Sequence, residues 1–251
     1  MFAQSTKGPV VTKKQKPCVL VHGAWHGAWC WDEFKPYLTE RGLTPIAPDL
    51  PGHGGRPLPL AEVSLAGYAD AIAEILDGLA EPAILVGHSM GGIVISEAAE
   101  RRPDKVRHLV YLSAFLLPDG VAMAARMKED TGSLAARFVR RTEDGRGLLM
   151  GEEGLRTAIY EGVAAPVVDR AVKLSQPQAI APFMTPLHLT AERFGRAPRA
   201  FVECTEDKAI TLEMQRRMQR DLPCDPVLTL ACGHCPHDIA PEALADFLAK
   251  L

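Results

Sequence analysis

Three stretches hold the residue types that acyl transfer needs: "GHSMG" (Gly87 to Gly91), "CTED" (Cys204 to Asp207) and "ACGHCPHD" (Ala231 to Asp238). The first is a G-x-S-x-G sequence with an apolar run before it and a helical pattern after it. In that setting the glycines let the chain turn sharply enough to lift a serine hydroxyl above a sheet edge. Ser89 is therefore the candidate nucleophile. A serine needs a base, the base needs a carboxylate to hold it, and in a strand–turn–helix architecture both follow the serine, each just past a strand. Asp207 closes "AFVECTED" and His234 closes "VLTLACGH", so both are predicted to emerge at the carboxyl edge of the sheet where Ser89 emerges. Glu206 and His237 compete for the two roles. Glu206 sits one residue earlier and faces away if the loop is tight, and His237 lies three residues deeper into the turn.

"ACGHCPHD" also sets Cys232 and Cys235 at C-x-x-C spacing, which suits a dithiol redox centre or half a zinc knuckle. Position argues against both. A dithiol oxidoreductase carries its pair near a first βαβ unit, ahead of a helix, whereas this pair lies by the last strand of a long chain. A zinc knuckle needs a second paired set, and His22 and His26 of "HGAWH" lie on a strand-end loop with no glutamate beside the first histidine. Packing thiols, no metal and no cofactor are expected.

An acyl-transfer serine also needs donors for the developing oxyanion. The backbone N–H of Met90 at the helix start supplies one, and that of Ala24, in the loop "HGAWHGAWCW" after the first strand, is predicted to supply the second. Gly23 leaves room for the reacting carbonyl, and Trp25 offers apolar surface to a substrate. Trp29 and Trp31 are assigned to the core, and His88 to orienting the turn.

The elements that position these residues alternate along the chain, apolar strand and then helical segment, from Pro17 onward, which is the signature of a mostly parallel sheet flanked by helices. The alternation stops between Leu116 and Leu189, where no convincing strand is legible. A segment of that length is better read as an inserted helical cap than as a bare loop. The organisation predicted is a tail over 1–16, an α/β core over 17–115 and 190–251, and a helical cap over 116–189. Apolar cap and edge residues such as Phe115, Leu117, Phe138, Leu148, Phe183 and Met184 would roof a pocket, with Phe115 and Phe183 chosen as substrate contacts.

Composition narrows the partners. A chain of 251 residues with 47% hydrophobic content supports one large core. The net charge of -3, with its lysines and arginines dispersed, offers no basic stripe for nucleic acid. No apolar run approaches bilayer length, and the first residues read as a loose tail rather than a secretory signal. Six cysteines, several in apolar strands, suit reduced buried thiols and a cytoplasmic location.

With these residues in place the sequence resembles the α/β-hydrolase superfamily, and within it the branch of plant methyl esterases, hydroxynitrile lyases and bacterial pyrethroid-hydrolysing carboxylesterases. The resemblance runs from about Pro17 to Leu251 and rests on "VHGAWHGAWCW", "LVGHSMGG", "PFMTPL", "CTEDKAI" and "GHCPHDIAPEAL". It implies the triad Ser89, Asp207 and His234, a small-molecule ester as substrate, and a homodimer as an open option. The lyases that this sequence resembles carry threonine after the first-strand histidine and lysine after the catalytic histidine. Gly23 and Cys235 stand there instead, as in the esterases. Dehalogenase relatives use an aspartate nucleophile, which Ser89 rules out. The expectation is a serine carboxylesterase of small to medium apolar esters (aryl, methyl or pyrethroid-type). The alternatives are lyase or carbon–carbon hydrolase chemistry by the same triad, or a small-ligand receptor without turnover.

Overall fold

The computed structural model describes residues 16–251. Its strands are β1 (Lys16–Val21), β2 (Leu43–Ile46), β3 (Ala83–His88), β4 (Val106–Leu112), β5 (Val139–Arg141), β6 (Gly147–Met150), β7 (Gln178–Ala179), β8 (Arg199–Cys204) and β9 (Val227–Leu230). Its helices are α1 (Lys35–Glu40), α2 (Leu65–Asp77), α3 (Gly91–Arg101), α4 (Met123–Glu129), α5 (Ala135–Phe138), α6 (Glu152–Gly154), α7 (Ala165–Leu174), α8 (Ala181–Met184), α9 (Leu212–Asp221), α10 (Pro236–Ile239) and α11 (Pro241–Ala249). The tail expected over 1–16 lies outside the described residues except for Lys16, which opens β1.

Six strands form one parallel sheet in the order β2-β1-β3-β4-β8-β9. Because helices cover both faces, its inner strands are apolar without alternation. Successive side chains still point to opposite faces. In β3, Ile84 and Val86 join the layer of Trp31, Phe34 and Leu38, which α1 and α11 close, whereas Leu85 joins the layer of Ile72 and Ile93 under α2 and α3. Trp31 is fully buried, as its core assignment predicts. Local signals set the helix ends: the Ser64 hydroxyl accepts from the Gly67 amide at the start of α2, and the Thr211 hydroxyl accepts from the Met214 amide at the start of α9. Among the described residues no helix is long and apolar enough to cross a membrane.

The segment inserted between β4 and β8 departs from the expectation of a purely helical cap. Beside α4 to α8 it contains a three-stranded antiparallel sheet, β5-β6-β7. These strands have 3, 4 and 2 residues, and a two-residue alternation needs at least about four to be read. Only the hairpin turn, where Gly145 takes φ +69°, leaves a local trace in the sequence.

The junction of β3 and α3 brings backbone against backbone. A Cβ on Gly87 would lie 2.5 Å from the Gly91 carbonyl oxygen, and one on Gly91 would lie 2.6 Å from the Val21 carbonyl oxygen of β1. Backbone on both sides leaves nothing to swing aside. Gly91→Ala is expected to destabilise the fold by about 1–3 kcal/mol or more, because overpacking here must move β1 or α3. The urea unfolding midpoint checks it, and an unchanged midpoint would contradict the packing described.

Candidate active site

Ser89 stands at the end of β3 with φ +55°, a conformation that costs a non-glycine residue about 1–3 kcal/mol. The strained peptide is held on both sides. The Ser89 amide donates to the Leu112 carbonyl at 3.3 Å, and the Ser89 carbonyl accepts from the Gly92 and Phe115 amides at 3.1 Å each. Two other non-glycine residues have positive φ among the described residues, Trp25 (+66°) and Ser113 (+42°), and both border the same site. The outliers cluster where their neighbours over-determine them.

Asp207 and His234 meet as the spacing predicts: His234 Nδ1 lies 2.7 Å from Asp207 Oδ2, with both side chains buried. The carboxylate is otherwise fully engaged. Its Oδ1 accepts from the Ala209 and Ile210 amides at 2.7 and 2.9 Å, and its Oδ2 also accepts from the Ser113 hydroxyl. With a carboxylate at Nδ1, that nitrogen carries the proton and His234 Nε2 presents a lone pair. His88 Nε2 donates to the His234 carbonyl at 2.8 Å, tying the residue before Ser89 to the histidine loop. Glu206 is exposed and bonded by its backbone to Cys232, and His237 lies against Trp31 with ring centroids 4.6 Å apart, so neither rival joins Asp207 or Ser89. Ser113, at the end of β4, escaped the sequence reading because a lone serine after a strand carries no motif.

The loop after β1 is organised by histidines. The Leu50 amide donates to His22 Nε2 at 3.1 Å, so His22 Nδ1 bears the proton and donates to the Gly23 carbonyl at 2.8 Å. That carbonyl belongs to the same peptide as the Ala24 N–H, which points the opposite way. His26 Nδ1 bonds the Ala24 carbonyl at 2.6 Å and its Nε2 meets the Tyr160 hydroxyl at 2.6 Å. Neither the Ala24 nor the Met90 amide has an acceptor inside the protein among the described residues. Gly23 sits directly against the serine, since a Cβ there would come within 3.0 Å of Ser89 Cβ. The paired histidines His22 and His26 thus orient backbone and leave no lone pairs for a shared metal.

Ser89 opens into a cavity whose walls include Trp25, Phe115, Met123, Met127, Ile159 and Phe183, with Ala24 at the serine end and Asp130 and Ser133 as polar groups. Trp25, Phe115 and Phe183 were expected there. Met184 was expected as a roof but is 58% exposed on the outside of α8, and Leu117, Phe138 and Leu148 pack elsewhere in the core and cap. Met123 and Met127, one helical turn apart on α4, were missed because helical spacing cannot say which face meets a cavity. Trp25 is stitched to the cap, its indole N–H donating to the Leu148 carbonyl at 3.0 Å and its carbonyl accepting from the Gln176 amide at 3.0 Å.

Residues 18–247 match the model of the alpha/beta hydrolase family. The chain belongs to that family. It is similar to a pyrethroid hydrolase of Sphingobium wenxiniae, 34% identical over 249 residues that cover 92% of this chain and 85% of the relative. It is also similar to methylesterase 1 of Arabidopsis thaliana, 30% identical with 95% and 97% covered. Among solved structures, a pyrethroid hydrolase from Sphingobium faniae superimposes with a TM-score of 0.83 at 33% identity, covering 94% and 96% of the two chains. The likeness within the alpha/beta hydrolase family is to enzymes of esterase type.

The C-x-x-C spacing does not make a pair in this member of the family. Cys232 faces Cys204, with their sulfurs 3.7 Å apart, and the Cys235 thiol donates to the Ile159 carbonyl. All six cysteines are free. Cys235, His237 and Asp238, by contrast, bring one ligand atom each within 4.8 Å of one another, a grouping the sequence reading did not anticipate.

Burial shapes the titration of this region. Desolvation pushes His26 down to about 4, takes His22 and His88 well below their ordinary 6.5, and lowers His53, with neighbouring histidines adding to the effect on His22, His26 and His88. Below pH 6.5 the unfolded chain therefore binds protons at these four positions that the folded protein refuses, so stability falls as the pH falls. His237, pushed down to about 3, and Asp238, pushed up to about 7, shift in opposite senses and offset one another. The unfolding free energy is expected to fall by roughly 1.4 kcal/mol per pH unit for each fully affected histidine from pH 6.5 to about 4, and the melting temperature to drop steadily with it. A flat calorimetric profile across that range would contradict the neutral histidine cluster.

Proposed function

We propose that the protein is a serine carboxylesterase acting on small to medium apolar carboxylic esters through an acyl-enzyme. One observation carries the reading: a strained Ser89 opens into a largely apolar cavity beside a buried, hydrogen-bonded Asp207–His234 pair. In the reaction His234 Nε2 takes the Ser89 proton as Oγ attacks the ester carbonyl, and Asp207 stabilises the imidazolium that forms. The Ala24 and Met90 amides donate to the oxyanion, the first of them aimed by the His22–Gly23 bond. His234 then gives its proton to the departing alkoxide. Water, activated by the same nitrogen, hydrolyses the acyl-serine and restores the hydroxyl. No step calls for a cofactor or a metal.

The substrate class follows from the walls. The cavity walls are mostly apolar side chains, as in small-molecule sites, and favour an uncharged acyl or alcohol group. Aryl, methyl and pyrethroid-type esters all meet that requirement, and the names of the relatives, a pyrethroid hydrolase and a methylesterase, support the choice. Cyanide elimination is disfavoured. Burial, with Asp238 adding to it, raises the Cys235 thiol well above its ordinary value, so the side chain after His234 is a neutral thiol with no positive charge of its own for a leaving anion. The free thiols suit a reducing compartment such as the cytoplasm.

Turnover of p-nitrophenyl butyrate in reducing buffer with a chelator tests the proposal. Wild type is expected to be active, Ser89→Ala to lose about three orders of magnitude or more in kcat, and Asp207→Asn about four, through loss of the correct imidazole tautomer. Activity retained in Ser89→Ala would end the esterase mechanism. Tight binding of an apolar ester without product, unchanged by that substitution, would mark a receptor instead.

A further inference from the structure

The turn after His234 holds a second group of chemically capable residues that the triad does not use. Cys235 Sγ, one ring nitrogen of His237 and a carboxylate oxygen of Asp238 all lie within 4.8 Å of one another, and the His237 Nε2 to Asp238 Oδ2 distance is 3.6 Å. His237 is 1% exposed, and neither of its ring nitrogens has a hydrogen-bond partner among the described residues. Each such orphan costs about 1–3 kcal/mol, so a buried imidazole with two of them is a position waiting for a ligand. We propose that Cys235, His237 and Asp238 form a binding site for a zinc-like divalent cation, with solvent completing the coordination.

The donor chemistry favours a borderline metal over a hard one. Thiolate, imidazole and carboxylate together are the ligand set of Zn²⁺ or Co²⁺, whereas Mg²⁺ and Ca²⁺ take oxygen ligands. Tetrahedral coordination at ordinary zinc distances sets donors roughly 3.3–3.7 Å apart, so a trio within 4.8 Å needs a contraction of up to about 1.5 Å. On binding, the Cys235 thiol releases its proton to solvent and its sulfur lone pair forms the metal bond, replacing the bond to the Ile159 carbonyl. His237 is neutral and already offers a lone pair. The route in is suitable too. A groove bordered by Glu33, Glu40 and Glu242 leads to His237 and Asp238, and these carboxylates draw cations toward the site. Arg170, whose guanidinium lies 3.9 Å from Glu33, opposes them.

The site would brace α10, whose preceding turn carries His234. It is a clamp behind the reacting groups and stands apart from the esterase reading, because its readouts do not depend on turnover.

The test uses the full chain, stripped with a chelator, desalted and titrated with Zn²⁺ or Co²⁺. One metal per chain by elemental analysis, a thiolate-to-Co²⁺ charge-transfer band in the near ultraviolet, and a melting temperature raised by roughly 5–10 °C at a hundredfold excess over Kd are expected. His237→Phe, which keeps an aromatic ring against Trp31, and Asp238→Asn should each weaken binding by about 100-fold or more, with far-UV circular dichroism confirming that both fold. No uptake at micromolar metal would overturn the site, as would uptake equal in wild type and both variants. The first outcome leaves water as the partner of His237, and the second places the metal elsewhere.

Discussion

The rest of the molecule depends on one close approach, that of β3, α3 and β1 at Gly87 and Gly91. Where these backbones touch, no side chain fits, and the chain can leave β3 only by turning so sharply that the next residue takes a left-handed conformation. The bonds from Gly92 and Phe115 to the Ser89 carbonyl hold that turn closed. Packing in the sheet thus supplies the strain energy that keeps Ser89 raised, and the candidate nucleophile is positioned by forces that have nothing to do with catalysis.

Around that point the protein keeps polar groups in a dry interior, and each is directed by a neighbour. Leu50 decides which nitrogen of His22 carries the proton, His22 turns the Gly23–Ala24 peptide, and Asp207 does the same for His234. Networks of this kind act strongly in low dielectric when complete and are costly when broken. His22, His26 and His88 stay neutral because charging them would mean holding an ion away from water, and so the architecture that orients the site also ties its stability to pH. His237 differs from these in that neither of its ring nitrogens is bonded within the protein among the described residues.

The cap makes a pocket of what would otherwise be an open edge. Its small antiparallel sheet presents the Leu148 carbonyl to Trp25, and α4 lays Met123 and Met127 along the wall. Methionine adapts to irregular shapes, so this side of the wall can follow more than one apolar outline, whereas Trp25, Phe115 and Phe183 are rigid.

The sequence by itself determined the parallel α/β core, its elbow and the order along it of Ser89, Asp207 and His234. Those features are written in local pattern: apolar runs of strand length, glycines at a turn, and single polar residues directly after strands. The Asp207–His234 meeting was legible for the same reason, since parallel strands deliver their carboxyl ends to one edge whatever lies between them. Only the tertiary structure decided the cap sheet, the cavity wall, Ser113 as a donor to Asp207, and the company of Cys235. Strands of two to four residues show no period, helical spacing does not say what a face meets, and C-x-x-C spacing does not say that two sulfurs turn toward each other. Cys232 turns to Cys204 across the sheet and Cys235 toward His237 and Asp238 because neighbouring positions on a turn diverge, and that divergence is a property of the fold.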